Sequence, residues 1–362
     1  MKRVAAAVTG LVLAAALAAC GTGSDTGTAV GSRAGEAVRS PGGASPAPTG
    51  SPEITLAFAG DVHFMVRTLT LLDDPPNVFG PIASVLSSAD FAMVNLESAV
   101  TDRGTEQPKR YHFRAPPTAY QAVKAAGVDL VTLANNHALD YGQVGLADTL
   151  AAAKAANMPY VGAGVNAAQA YAPYVTEVKG VTFAFLGFNQ FYELWQTWNA
   201  TATRPGIAQA RDLARAVAAA KAARKLADVL VVYVHWGNEG DECPTQEQRA
   251  FAAEMSKAGA GLVVGTHAHL LMGDGWMGRT YVQYGLGNFI WYHDDAWSND
   301  TGVLRVTMRG KTVTKTELVP AVISRTTGQP LPVTGTEAAR IQAKYAALRA
   351  CTKLAAAPAP GG

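Results

Sequence analysis

Val131-Thr-Leu-Ala-Asn-Asn-His-Ala-Leu-Asp-Tyr-Gly142 decides how the rest of the chain is read, because an apolar run stops there at two amides, an imidazole and a carboxylate. Asp129 to Leu133 has the make-up of a buried strand and Gly145 to Ala156 that of a helix. Asn135, Asn136 and His137 are therefore expected at the carboxyl end of a strand in a βα unit. That edge is where open α/β sheets hold ligands. By itself the stretch also fits a polar turn, with Asn residues tolerating unusual backbone angles and a His capping a helix.

The same arrangement recurs along the chain. Ile54 to Ala59 runs into Gly60-Asp61-Val62-His63, and Phe91 to Val94 into Asn95-Leu96-Glu97. Val229 to Val234 runs into His235-Trp236-Gly237, and Leu262 to Val264 into Gly265-Thr266-His267-Ala268-His269. With the opening stretch, five strand-like runs end in residue types that bind metals. Of the 7 His in the chain, His63, His137, His235, His267 and His269 stand in these motifs, whereas His112 and His293 do not. A lone His is ordinarily structural, but Asp-x-His, Asn-His, His and His-x-His along one sheet edge are hard to explain as packing.

Imidazole, carboxylate and amide oxygen together suit borderline divalent ions such as Zn, Mn or Fe rather than Ca. The set is too large for one four-coordinate ion, so two divalent ions sharing a carboxylate are expected. Such a pair activates a water and clamps the oxygens of a displacement at phosphorus or carbon.

Between the motifs, helices are expected over Met65 to Leu72, Ile82 to Ser88, Thr118 to Ala126 and Gly145 to Ala156, giving a repeated β-α-β order and a largely parallel sheet. Thr101 to Arg114 has almost no apolar periodicity and is the expected loop over the site. Tyr174 to Val178 and Val181 to Phe185 alternate like a hairpin. Gly187 to Arg204 reads as an irregular aromatic loop, filling the core edge or walling a substrate site. Helices are expected again at Asp212 to Leu226, Thr245 to Lys257 and Thr336 to Leu354, with β segments at Thr280 to Tyr284, Gly302 to Met308 and Thr312 to Leu318.

A chain of 362 residues that is 49% hydrophobic and 16% charged can bury a large core. Its formal net charge of +2, with Lys and Arg scattered, offers no basic face for nucleic acid. Lys2-Arg3, the apolar run Val4 to Ala16 and Leu17-Ala18-Ala19-Cys20 have the order of a bacterial lipoprotein signal, in which Cys20 carries the lipid. An ordinary secretory signal cut near Ala19 predicts the same side of the membrane. Either way the expected location is extracytoplasmic, and the lipid would anchor the chain to the cell membrane. Residues 21–52 are rich in Gly, Ser, Thr, Ala and Pro and read as a disordered tether. As a flexible coil of about 30 residues it spans roughly 30 Å. The expected organisation is a signal over 1–20, the tether over 21–52, one domain over 53–325, and a C-terminal helix and tail over 326–362. In an oxidising compartment Cys243 and Cys351 are candidates for a disulfide, the alternative being two free thiols.

Taken in order, Gly60-Asp61-Val62, Asn95-Leu96-Glu97, Ala134-Asn135-Asn136-His137-x-Leu139-Asp140-x-Gly142, Gly162-Ala163-Gly164-x-Asn166, His235-Trp236-Gly237-x-Glu239, Gly265-x-His267-x-His269 and Leu286-Gly287-Asn288-Phe289 resemble the CapA family of capsule (poly-γ-glutamate) synthesis proteins, within the calcineurin-like metallophosphoesterases. The resemblance runs from about residue 54 to 291. It implies a four-layer α/β/β/α sandwich with a dinuclear metal site at the strand ends. Carried over residue by residue, it makes Asp61, His63 and His269 ligands of one ion and Asn136, His235 and His267 ligands of the other. Glu97 becomes the shared carboxylate, His137 the catalytic acid beside the leaving group, and Asp140 the residue that orients it. The wider superfamily uses Gly-Asp-x-x-Asp where this chain has Asn95-Leu96-Glu97. Asn95 and Arg114 are the substrate-binding candidates, Arg114 because a guanidinium grips carboxylate or phosphate bidentately.

Two functions follow from the resemblance. One is a metal-dependent hydrolase acting on a phosphoester or on an amide of an anionic cell-surface polymer. The other is a non-catalytic assembly or export factor in a capsule-synthesis complex that keeps the fold.

Overall fold

The computed structural model describes residues 50–360. The signal segment, Cys20 and the tether up to residue 49 lie outside the described residues. From Gly50 onward the chain forms one compact unit built on two facing sheets.

The first sheet has 8 strands. Its parallel half is Glu53–Val62, Phe91–Leu96, Leu130–Thr132 and Tyr160–Val161. Asp300–Arg309, Thr312–Ile323 and Pro330–Pro332 extend it antiparallel from the other side of Glu53–Val62, whose end also pairs with Asn288–Ile290. The second sheet has 6 strands. There Val181–Asn189, Val229–His235, Leu262–Thr266 and Thr280–Gln283 run parallel, and Tyr174–Val178 and Asp274–Met277 are its antiparallel edges.

Side-chain alternation builds the layers. In the first strand Ile54, Leu56 and Phe58 face the second sheet's Phe183, Phe185, Val231 and Val264. Ala57 and Ala59 face outward, onto the side covered by Tyr120, Leu146 and Leu150. On the far side, Leu230, Val232 and Val234 pack under Ala216 and Ala220 of helix Leu213–Arg224 and under Phe251 and Met255 of helix Gln246–Lys257. Strands buried on both faces and carrying long apolar runs are what parallel sheets covered by helices require. The result is the expected four-layer α/β/β/α sandwich.

Several local expectations differ from the structure. Met65 to Leu72 starts no α-helix: Val66–Asp73 is a 3₁₀ helix, entered at Val66 with φ +47° and followed at once by Pro75-Pro76. The strand from Val181 continues to Asn189, and the aromatic segment behind it contains a short helix, Trp195–Trp198. The C-terminal helix is Gly335–Leu348, ending six residues earlier than expected in a 3₁₀ turn, Arg349–Cys351. Its Ile341, Tyr345 and Leu348 close the core between the sheets, and Pro330–Pro332 is itself a strand, so the chain beyond residue 325 packs into the same body. Cys243 and Cys351 are bonded, with Cα atoms 5.6 Å apart. No helix long and apolar enough to cross a membrane occurs among the described residues.

Candidate metal centre

Parallel strands of the two sheets end on the same side, and the residues after them meet there. Asp61 and Asn95 are register partners in the first sheet, and His235 is a partner of Thr266 in the second. The sheets are tied at this edge by the Tyr233 hydroxyl, which donates to the Ala59 carbonyl at 2.6 Å.

Two sets of ligand types converge: Asp61, Glu97 and His269 form one, and Glu97, His235 and His267 the other. Within each set the ligand atoms lie within 4.8 Å of one another, and all five residues are buried. His235 Nε2 lies 2.9 Å from His267 Nδ1, 2.6 Å from Asn136 Oδ1 and 3.3 Å from Glu97 Oε1. A single ring nitrogen cannot hydrogen-bond to three such atoms at once. Crowded lone pairs of this kind fit a divalent ion with imidazole, amide and carboxylate ligands.

Orphaned polar atoms test the fit further. Glu97 is wholly buried, yet neither of its carboxylate oxygens has a hydrogen-bond partner among the described residues, and His267 Nε2 is equally unpartnered. An unpaired buried carboxylate is very costly, so burial pushes Glu97 up to about 8. Burial, and then the neighbouring Glu97, lift Asp61 to about 6. Burial lowers His235 to about 3. It would lower His269 too, but Glu239, Glu97 and Asp61 outweigh it and raise that imidazole to about 9. Cations between these groups would relieve the burial of both carboxylates and take the lone pairs of the neutral imidazoles. Asp61, Glu97 and His269 are therefore fitted to hold one ion, and Glu97, His235, His267 and Asn136 a second.

The backbone is bent to serve this edge. His267 and His269 have φ of +92° and +62°, a region non-glycine residues seldom enter and one that is strained chiefly at functional sites. A Cβ on Gly60 would stand 1.8 Å from the Gly287 carbonyl oxygen, so only glycine lets the first strand cross there while the Asp61 amide donates to that same oxygen at 2.9 Å.

Beside the ligands sits a dyad. His137 Nδ1 and Asp140 Oδ2 are 2.5 Å apart, and His137 Nε2 faces Glu97 Oε1 at 3.9 Å. Phe113 stacks on the imidazole at 3.7 Å, and its amide donates to Asp140. Burial first, and then the Lys109 ammonium, hold His137 well below the ordinary imidazole value.

The family model for the bacterial capsule synthesis protein PGA_cap matches residues 55–293. The chain belongs to this family. Among its relatives, "Capsule biosynthesis protein CapA" of Bacillus anthracis is 32% identical over 293 residues, covering 78% of this chain and 70% of its own length. "PGA biosynthesis protein CapA" of Bacillus subtilis is 30% identical over 285 residues, covering 77% and 74%. A solved phosphatase of Mycoplasma pneumoniae overlays with a TM-score of 0.46 at 15% identity, over 75% of this chain and 94% of that one.

In this capsule synthesis protein three of the expected site residues take other positions. His63 joins neither ligand set: its Nε2 accepts the Tyr292 amide at 3.1 Å, and its ring is packed on Trp291 and edge-on to Phe113, both at 4.3 Å. Its Nδ1 has no hydrogen-bond partner among the described residues and joins neither ligand set. Asn95 cannot reach a substrate. It is fully buried, donates to Asp61 Oδ1 at 2.7 Å, accepts from Asn135 at 2.9 Å and lies 3.3 Å from His235 Nδ1, so it orients ligands from behind. Arg114 stacks over Tyr141 at 3.5 Å and donates to the Arg103 carbonyl instead of gripping an anion at the centre.

The cation beside the dyad is Lys109, which the sequence reading passed over. Its ammonium, with a side chain 1% exposed, meets Asp140 Oδ1 at 2.8 Å, Glu193 at 3.5 Å and the Asn136 carbonyl. Asn288 was also given no role, yet its Oδ1 is 2.8 Å from His269 Nδ1. Its place in the Leu-Gly-Asn-Phe motif was the available signal.

Proposed function

We propose that this capsule synthesis protein is an extracytoplasmic, divalent-metal-dependent hydrolase of phosphoesterase type. It would act on a phosphoester or an amide in the making of a capsule or poly-γ-glutamate-like anionic polymer, and the lipid on Cys20 would hold it at the membrane. The carrying observation is Glu97, a buried carboxylate that has no hydrogen-bond partner among the described residues and belongs to both ligand sets.

When bound, two divalent ions supply Lewis acidity at the scissile group and make water acidic enough to attack near neutral pH. The chain's own residues do the rest. Asn95 and Asn288 fix ligand orientation. Asp140 and Lys109 keep the His137 ring in place, and Phe113 excludes water from one of its faces. His137 Nε2, turned toward the ligand cluster in a ring held neutral, is the group placed to take up the proton released by the attacking water and hand it to the departing atom.

The test is metal analysis of the purified protein together with turnover of bis(p-nitrophenyl) phosphate and γ-glutamyl amides. His267→Ala is expected to lose metal, whereas His137→Ala keeps it and loses about 10²–10⁴ in turnover. A His137→Ala protein that supports capsule formation fully, while the ligand variants do not, would make the ions structural and the protein an assembly factor. Cys20→Ser should move the protein from the membrane fraction to the medium or periplasm, and retention would overturn the anchor.

A further inference from the structure

A cavity of about 180 Å³ opens directly on His137 and His269. It is smaller than the roughly 300–1,000 Å³ of pockets that take a whole drug-sized molecule. It therefore suits one end group of a substrate.

Five rings line it: Tyr111, Phe113, Trp291, Tyr292 and Trp297. Three of them form a connected wall, with Tyr292 packed 5.6 Å from Phe113 and 5.5 Å from Trp291. Tyr111 and Trp297 are 45% and 49% exposed, so both rings are open to a ligand entering from solvent.

The charges on the wall have one sign apart from the imidazoles. Glu239 and Asp295 line the cavity, and no Lys or Arg does. The cations nearby are turned to other tasks: Arg67 donates to the carbonyls of Trp291, His293 and Arg325, Arg325 pairs with Asp294, and Arg110 covers the Tyr111 ring at 4.9 Å. The Asp295 carboxylate makes no ion pair among the described residues. Glu239 is 3.7 Å from His269. The field is felt at Tyr292, whose phenol is pushed up to about 12 by burial and then by Tyr111, Asp295, Glu239 and Glu97.

Aromatic faces beside carboxylates attract positive charge. We propose that this cavity is the leaving-group subsite and takes an ammonium-bearing group. The substrate class is then a phosphoester or amide whose departing half carries a positive charge. In the reaction, a water oxygen bonds to phosphorus or carbon and the bond to the departing oxygen or nitrogen breaks. The proton given up by the water is passed by His137 to that departing atom, with the ammonium held among the rings.

The proposal takes its meaning from the hydrolase reading, but its test does not depend on turnover. Choline and ethanolamine are titrated into the full protein of known metal content, with tryptophan emission as the readout. The neutral isostere 3,3-dimethylbutan-1-ol and glutamate serve as the other arms. Saturable quenching by at least one cation is expected, on the order of tenfold tighter than by the isostere, with none by glutamate. The ratio of choline to ethanolamine tells a quaternary from a primary ammonium. Asp295→Asn and Trp297→Ala should each weaken the cation several-fold, and Asp295→Asn should leave the isostere unchanged. Equal binding of isostere and cation, or no saturable response to either cation, overturns the proposal. A protein that binds choline in this way but holds no metal refutes the hydrolase reading alone; one that holds two ions and ignores both cations refutes this proposal alone.

Discussion

Lys109 carries its ammonium into the protein from a loop without regular structure, and it does so beside the His137–Asp140 dyad rather than at the surface. Removing it leaves Asp140 and the Asn136 carbonyl without their cation, while both ligand sets stay whole. Lys109→Met should therefore keep both ions by elemental analysis and lower kcat on whichever ester is turned over by roughly 10–100-fold, with KM little changed. Loss of metal would assign Lys109 to the ligand shell instead. Acidity gives a second handle on the same residues. Glu97 has a folded value near 8 against an ordinary 4.5, and His269 one near 9 against 6.5. Both values are raised, so each group's contribution is present at low pH and lost as pH climbs toward the folded value. His235, lowered to about 3, works the other way, but its gain is nearly complete by its ordinary 6.5, so from pH 6.5 to 8 it offsets only a small part of that loss. Metal-stripped protein should thus melt at a lower temperature at pH 8 than at pH 6.5. The metal-loaded protein should reverse that trend, because ligation needs the deprotonated groups. Parallel melting curves with and without chelator decide it.

At the scale of strands and loops, the crossing of Gly60 over Gly287 is the joint that brings Asp61 to the centre. Gly60→Ala must displace backbone, and about 3 kcal/mol of stability should go with it in denaturant titrations. A loss under 1 kcal/mol would mean that the crossing relaxes freely. The long strands were legible in the residues because burial on both faces demands unbroken apolar runs, as in Val229–His235 and Leu262–Thr266. Asp274–Met277 and Asn288–Ile290 were not: runs of 4 and 3 residues carry too little pattern, and only pairing with distant partners defines them. The site divides the same way. Residue type at strand ends was enough to bring Asp61, Glu97, Asn136, His235, His267 and His269 together. It could not say which lone pair of His63 a backbone amide would occupy, nor that Asn95 and Arg114 would turn away from substrate. Lys109 was invisible because one Lys in a polar loop looks like any solvated charge until the fold closes over it.

For the molecule as a whole, the bond between Cys243 and Cys351 closes a covalent loop with a sequence separation of 108 residues. Within that loop lie His267, His269, Asn288 and the aromatic wall from Trp291 to Trp297. Breaking it by Cys351→Ser should cost about 2–4 kcal/mol. The loop also matters in mechanical terms. Tension applied to the ends of a folded chain travels along covalent bonds. Everything between the two sulfurs is bypassed by that path. Stretched from its ends in an optical trap, the oxidised protein should gain roughly 370 Å less length on unfolding than the reduced one, at about 3.4 Å for each hidden residue. Two of the six candidate ligands, His267 and His269, would then ride through a pulling event without being drawn out into extended chain.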